Sequence, residues 1–183
     1  MKRLVMVIAA VVVLVPATVW AQDTPAAEVF GGFSVLTVSD SNITGSRITP
    51  VGWQASISAN LNSRFGIVGD FGGEYKDDAT NCPSCKFHSF LGGVRVGQRM
   101  EKATVFAHAL YGGTRISAAG SSSDTNFTMA YGGGVDLNAT DRIAIRIIQF
   151  DWLPMKFDTG TSSDWLTNSL RFGFGIVFKA GSK

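Results

Sequence analysis

After the first 21 residues the chain alternates apolar and polar residues at period two, with no sustained helical spacing, so strands are the predicted element throughout. The clearest run sets Val51, Trp53, Ala55, Ile57, Ala59 and Leu61 on one face against Gly52, Gln54, Ser56, Ser58 and Asn60 on the other. After Ser63 the same form returns: Phe65, Ile67, Gly69, Phe71 and Tyr75 oppose Val68, Asp70, Gly72 and Glu74. It returns again with Phe127, Met129, Tyr131, Val135 and Leu137 against Thr128, Ala130, Gly132, Gly134 and Asp136. The last run sets Leu170, Phe172, Phe174, Ile176 and Phe178 against Ser169, Arg171, Gly173 and Gly175.

Four further strands are expected over residues 28–39, 86–98, 104–116 and 142–157. Around Val105 both faces are apolar, which leaves the inward face open. In the seventh strand Ile143, Ile145 and Ile147 set one parity, while Gln149 and Asp151 would fall on that same apolar face. A β-bulge near Ile148 resolves the conflict, because one extra residue flips the facing of everything beyond it.

Connections alternate long and short. The long ones are 40–48, 76–85, 117–124 and 158–164; the short ones are 62–63, 99–102 and 138–141. With eight strands the long connections all fall at one end, the asymmetry of membrane barrels with long extracellular loops and short periplasmic turns. The strands are roughly 10 to 14 residues long, enough for the ~9–11 residues a tilted strand needs to cross a bilayer.

Alternation suits a soluble barrel or sandwich equally well, so residue chemistry has to decide the facing. Only 16% of residues are charged, and the chain holds 21 glycines and 13 phenylalanines. The apolar faces of the four clear strands carry no charge, while the opposite faces mix Gly, Ser, Gln and Asn with charges of both signs. Strand glycine facing water packs nothing, whereas glycine facing a narrow interior makes room. Trp53, Phe65, Phe71, Tyr75, Phe127, Tyr131, Trp165, Phe172 and Phe178 tend toward strand ends on the apolar faces, as a lipid-facing aromatic girdle requires. The expected fold is therefore all-β, an eight-stranded antiparallel up-and-down transmembrane β-barrel.

Residues 1–21 read as a signal peptide: Lys2 and Arg3, an apolar run from Leu4 to Val15, Pro16, and small residues Val19 and Ala21 ahead of a bond to Gln22. Cleavage is expected after Ala21, leaving residues 22–183 as one barrel domain. The mature chain is close to neutral, which argues against nucleic acid as a partner.

By parity Asp70, Glu74, Arg95, Asp136, Arg146 and Arg171 point inward. An eight-stranded barrel is only wide enough to be filled by side chains, so a packed ionic network is expected there; a narrow polar path for ions or small solutes is the alternative. Cys82 and Cys85 fall in a polar loop of an exported chain, where a local disulfide is expected and no second pair completes a zinc site. Adjacent His88 and Ser89 point to opposite faces, and His108 stands without a neighbouring carboxylate in the sequence, so neither catalysis nor a cofactor is expected.

The segments AEVFGGFS, AYGGGVDLNATDRIAIR and LRFGFGIVF resemble the first, sixth to seventh, and closing strands of the small outer-membrane β-barrel family that includes the OmpA transmembrane domain and OmpX. Membership would imply a bacterial outer-membrane location, with membrane lipid and the barrel insertion machinery as partners. Phe178 is followed by Lys-Ala-Gly-Ser-Lys, a departure from relatives that end on the aromatic residue. The resemblance reaches the barrel of OmpA and not its peptidoglycan-binding domain, so it carries no expectation of cell-wall anchoring. The functional expectation is a structural or surface-interaction role through the extracellular loops, adhesion-like in character and with its ligand unspecified. A porin-like passive pore is the alternative, and a lipid-modifying enzyme is a more remote one.

Overall fold

The computed structural model describes residues 24–39, 47–79, 82–118, 123–158 and 163–181. Its strands are β1 (Ala27–Ser39), β2 (Arg47–Ile48), β3 (Val51–Asn60), β4 (Phe65–Ala79), β5 (Cys82–Arg99), β6 (Ala103–Ala118), β7 (Asp124–Asn138), β8 (Ile143–Trp152), β9 (Met155–Asp158), β10 (Ser163–Leu166) and β11 (Ser169–Ala180). The pair β2 and β3, the pair β8 and β9, and the pair β10 and β11 each form one stave interrupted for two residues. Eight staves result, each antiparallel to its neighbours in chain order.

The sheet closes on itself through β1 and β11, in register from Ala27↔Ala180 to Val38↔Ser169. Closure leaves no edge strand, which a lipid-embedded sheet requires because unpaired backbone groups find no partner in hydrocarbon. Three tight turns sit at the end that also holds the described chain termini. Asn62 Oδ1 accepts from the backbone N–H of Arg64 and of Phe65, both at 2.9 Å. Thr140 Oγ1 does the same for Arg142 and Ile143 at 3.3 and 3.0 Å. Such side-chain to backbone bonds are what fit Asn and Thr to tight turns.

At the opposite end the strands run further than the sequence reading has them. β4 and β5 pair as far as Ala79↔Cys82, so the expected 76–85 loop is mostly hairpin. Cys85 is consequently a buried strand residue rather than a loop residue. The side chain of Cys82 lies outside the described residues, and the pairing of the two cysteines stays an expectation. Residues 1–21, read as a signal peptide, also lie outside them.

The bulge is present in β8. Val135 pairs with Ile148 while Asp136 pairs with Arg146, and the register shifts at the same level against β11. Ile147 and Ile148 are consecutive exposed residues, after which Gln149 and Asp151 return to the interior. In β6 the inward face is the even one, with Thr104, Phe106, His108, Leu110 and Thr114 buried and Val105 and Tyr111 exposed.

The facing follows the chemistry. Large apolar side chains such as Trp53, Ile57, Phe90, Ile145 and Phe174 are exposed on the outside, while Arg171, Gln54, Glu74 and Asp151 are buried within.

Candidate functional site

The barrel interior holds the densest chemistry. Two charged clusters lie along its axis. Toward the turn end, Glu28 accepts from Arg95 and, at 2.5 Å, from Arg99. Arg95 also reaches Asp136 at 3.4 Å, and Arg146 grips Asp136 with Nε at 2.7 Å and Nη2 at 3.1 Å. The Arg146 guanidinium stacks on Phe30 and Phe106, 4.2 and 4.4 Å from the ring centroids, and Arg95 lies 4.2 Å from the Phe106 centroid. Aromatic faces thus cover the parts of these cations that no carboxylate reaches.

Higher up, Arg171 is the hub. Its Nη2 donates to Asp70 Oδ1 and Asp151 Oδ2, both at 2.8 Å, and its Nη1 donates to Ser89 Oγ at 3.3 Å. Gln54 donates to the other oxygen of Asp70 at 2.7 Å, and Ser34 Oγ to Glu74 Oε1 at 2.5 Å. His108 Nε2 lies 2.8 Å from Asp151 Oδ1, within donating distance of the carboxylate. Gln149 joins the clusters, accepting from Arg146 at 2.7 Å and donating to Asp151 at 2.8 Å.

The network therefore draws at least one side chain from each of the eight staves. Buried ions are tolerated only when paired and hydrogen-bonded; the arginines, Glu28, Asp70, Asp136 and Asp151 meet both conditions, while Glu74 is held by the Ser34 hydroxyl alone among the described residues. Beyond the Arg171 level, toward the loop end, the interior holds an apolar cluster built largely from Leu36, Val38, Phe87, Leu110, Met155 and Leu166, with Thr114, Thr128 and Ser169 buried beside it. A cavity of about 10 Å³ remains beside Ser56, Ser58, Asp70, Arg95, His108 and Arg146, room for about one water molecule.

All six interior residues singled out from the sequence, Asp70, Glu74, Arg95, Asp136, Arg146 and Arg171, are buried within the barrel. Asp151, which the bulge turns inward as expected, joins them, and so do Glu28, Arg99 and His108, which the sequence reading did not place there. The sequence reading of His108 as isolated is corrected: its carboxylate comes from Asp151, forty-three positions away on another stave. His88 and Ser89 do face opposite ways, His88 toward Tyr75 outside and Ser89 toward Arg171 inside. Of the nine girdle aromatics, eight are exposed on the outer face, and Tyr131 is half-buried there against Tyr111. Among the described residues no three His, Cys, Asp or Glu side chains are grouped to hold a metal ion.

The family model described as outer membrane protein beta-barrel domain matches residues 7–178. The chain belongs to that family. Solved structures agree on the fold. Neisserial surface protein A superposes with a TM-score of 0.69 at 12% identity, over 84% of this chain and 97% of that one. The N-terminal β-barrel domain of Pseudomonas aeruginosa OprF gives 0.56 at 9% identity, over 86% and 98%. Ail, the attachment invasion locus protein of Yersinia pestis, gives 0.53 at 15% identity, over 85% and 99%. No match arises among curated proteins. For an outer-membrane barrel the turn end with the termini is periplasmic and the loop end extracellular.

Proposed function

We propose that this chain is a sealed outer-membrane barrel whose work is done at its extracellular end, as a lipid-embedded platform for surface contact of an adhesion-like kind. The observation that carries the reading is the placement of Arg171, fully buried across the lumen and bonded at once to Asp70 and Asp151 beneath an apolar layer. A solute would have to break buried ion pairs and then wet that layer, and breaking one such pair costs about 3–5 kcal/mol. Surface contact then falls to the loops and the strand ends that carry them. Attachment is named for Ail, and that name is consistent with such a role here. In this reading the chain is exported by a signal peptide cleaved after Ala21, and its partners are membrane lipid, the insertion machinery and a surface ligand.

Cells displaying the barrel would be compared in a surface-binding assay with cells whose residues 40–46 and 119–122 are replaced by Gly-Ser linkers. Lost binding with unchanged surface display supports the platform; equal binding by both removes it. An intact mass that does not begin at Gln22 removes the cleavage assignment.

A further inference from the structure

Through the middle of the barrel the outward side chains of the described strands are uncharged, but at the extracellular end basic residues gather on the outer face. Two neighbouring rows of the sheet carry them. One runs Trp53, Gly73, His88, Arg115, and the next Val51, Tyr75, Lys86, Ser117. Directly opposed residues on one face have Cβ atoms about 4.5–5.5 Å apart, so Arg115 flanks His88 and Lys86 flanks Tyr75.

The aromatic part of this patch is held in place. Trp53 Nε1 donates to Tyr75 Oη at 3.4 Å, and Tyr75 Oη lies 3.2 Å from His88 Nε2 with the two rings edge to face. Gly73 allows it: a Cβ there would stand 2.6 Å from Trp53 Nε1 and 2.9 Å from Tyr75 Oη, so the indole and phenol lie across the glycine. Lys86 and Arg115 are exposed, and among the described residues neither enters an ion pair. Asp77, on the same face, is engaged by Ser84 Oγ at 3.3 Å. Phe71 and Phe90 lie next along the staves toward the middle of the bilayer, packed edge to face.

Cations on the lipid side of a barrel are costly near the hydrocarbon and are stabilised where an anionic group meets them. Tyrosine and tryptophan mark the depth at which headgroups begin. We propose that Lys86, His88 and Arg115, set over the Trp53 and Tyr75 platform, bind the phosphate of a lipid headgroup in the outer leaflet. Arg115 supplies a planar fork of donors suited to a phosphate, Lys86 a mobile charge, and His88 a ring N–H, while Trp53 and Tyr75 pack against the first carbons of the lipid. The site rests on the barrel being embedded in lipid, as proposed above.

The test uses the full mature chain folded in detergent micelles, offered bisphosphorylated lipid A or the same lipid stripped of phosphate, with retained lipid read by native mass spectrometry. Roughly ten-fold greater retention of the phosphorylated lipid is expected, falling to the level of the stripped lipid in Lys86→Gln/Arg115→Gln. Lys102→Gln/Arg142→Gln, which removes two cations at the periplasmic turns, is expected to leave retention unchanged. Equal retention of the two lipids, undiminished retention in Lys86→Gln/Arg115→Gln, or displacement by millimolar inorganic phosphate overturns the proposal. Each sample is also run unboiled on a gel. A barrel that migrates as folded but retains both lipids equally overturns the lipid site alone; a chain with no heat-sensitive folded form overturns the embedded barrel and the site together.

Discussion

Arg171 and Asp151 face each other across the β8 and β11 ladder, and both Nε and Nη2 of the arginine donate to the same carboxylate oxygen, at 3.1 and 2.8 Å. The other oxygen of Asp151 meets His108. One carboxylate thereby ties together three staves, β6, β8 and β11, in the middle of the lumen.

Asp151→Ala removes that tie and leaves Arg171 with Asp70 and the Ser89 hydroxyl. Unfolding by urea in lipid vesicles is expected to show a loss of about 3–5 kcal/mol, the scale for removing one partner of a buried ion pair. A loss below about 1 kcal/mol would mean that the network adds little to the fold.

Deleting Ile147 takes out the residue that the bulge adds, and Arg146 and Gln149 keep their inward facing because Ile148 alone then separates them. The barrel is expected to fold and to keep its heat-sensitive gel migration. Deleting Phe150 instead sets Gln149 and Asp151 on opposite faces and is expected to abolish that migration. The reverse pattern would show that the bulge is not where the side chains change face.

Gly93 lies where a side chain has no room, since an added Cβ would stand 2.1 Å from the carbonyl oxygen of Ala109 on the neighbouring strand. Gly93→Ala is expected to cost about 1–3 kcal/mol in the same unfolding assay, as overpacking does elsewhere. An unchanged midpoint would contradict so close an approach of the two strands.

Ile57 is an outward residue in the middle of β3, 55% exposed. If lipid covers it, Ile57→Arg costs about 2–4 kcal/mol in vesicles. A neutral effect would place that face in water.

The alternation of Gln54, Ser56 and Ser58 with Trp53, Ala55 and Ile57 made the strand and its facing legible, because a period of two allows no other separation of the two sets. The bulge was legible for the same reason: Gln149 and Asp151 could reach the interior only if one residue was skipped. Glu28 was harder to place. Its stave buries Phe30, Leu36 and Val38 as well, so both faces of β1 look apolar and parity carries little signal. The His108 contact with Asp151 was out of reach, since it depends on which staves meet across the lumen rather than on spacing along the chain. The long reach of β4 and β5 was masked by polar strand ends, where Lys76, Asp77 and Ser84 resemble loop residues but pair as a hairpin.

The sealed lumen is tested most directly by single-channel recording on the purified mature protein, reconstituted into planar bilayers and shown on a gel to be folded. Buried ion pairs beneath an apolar layer predict no stable unitary conductance. A large, long-lived and reproducible conductance step would contradict a filled barrel and restore the passive pore.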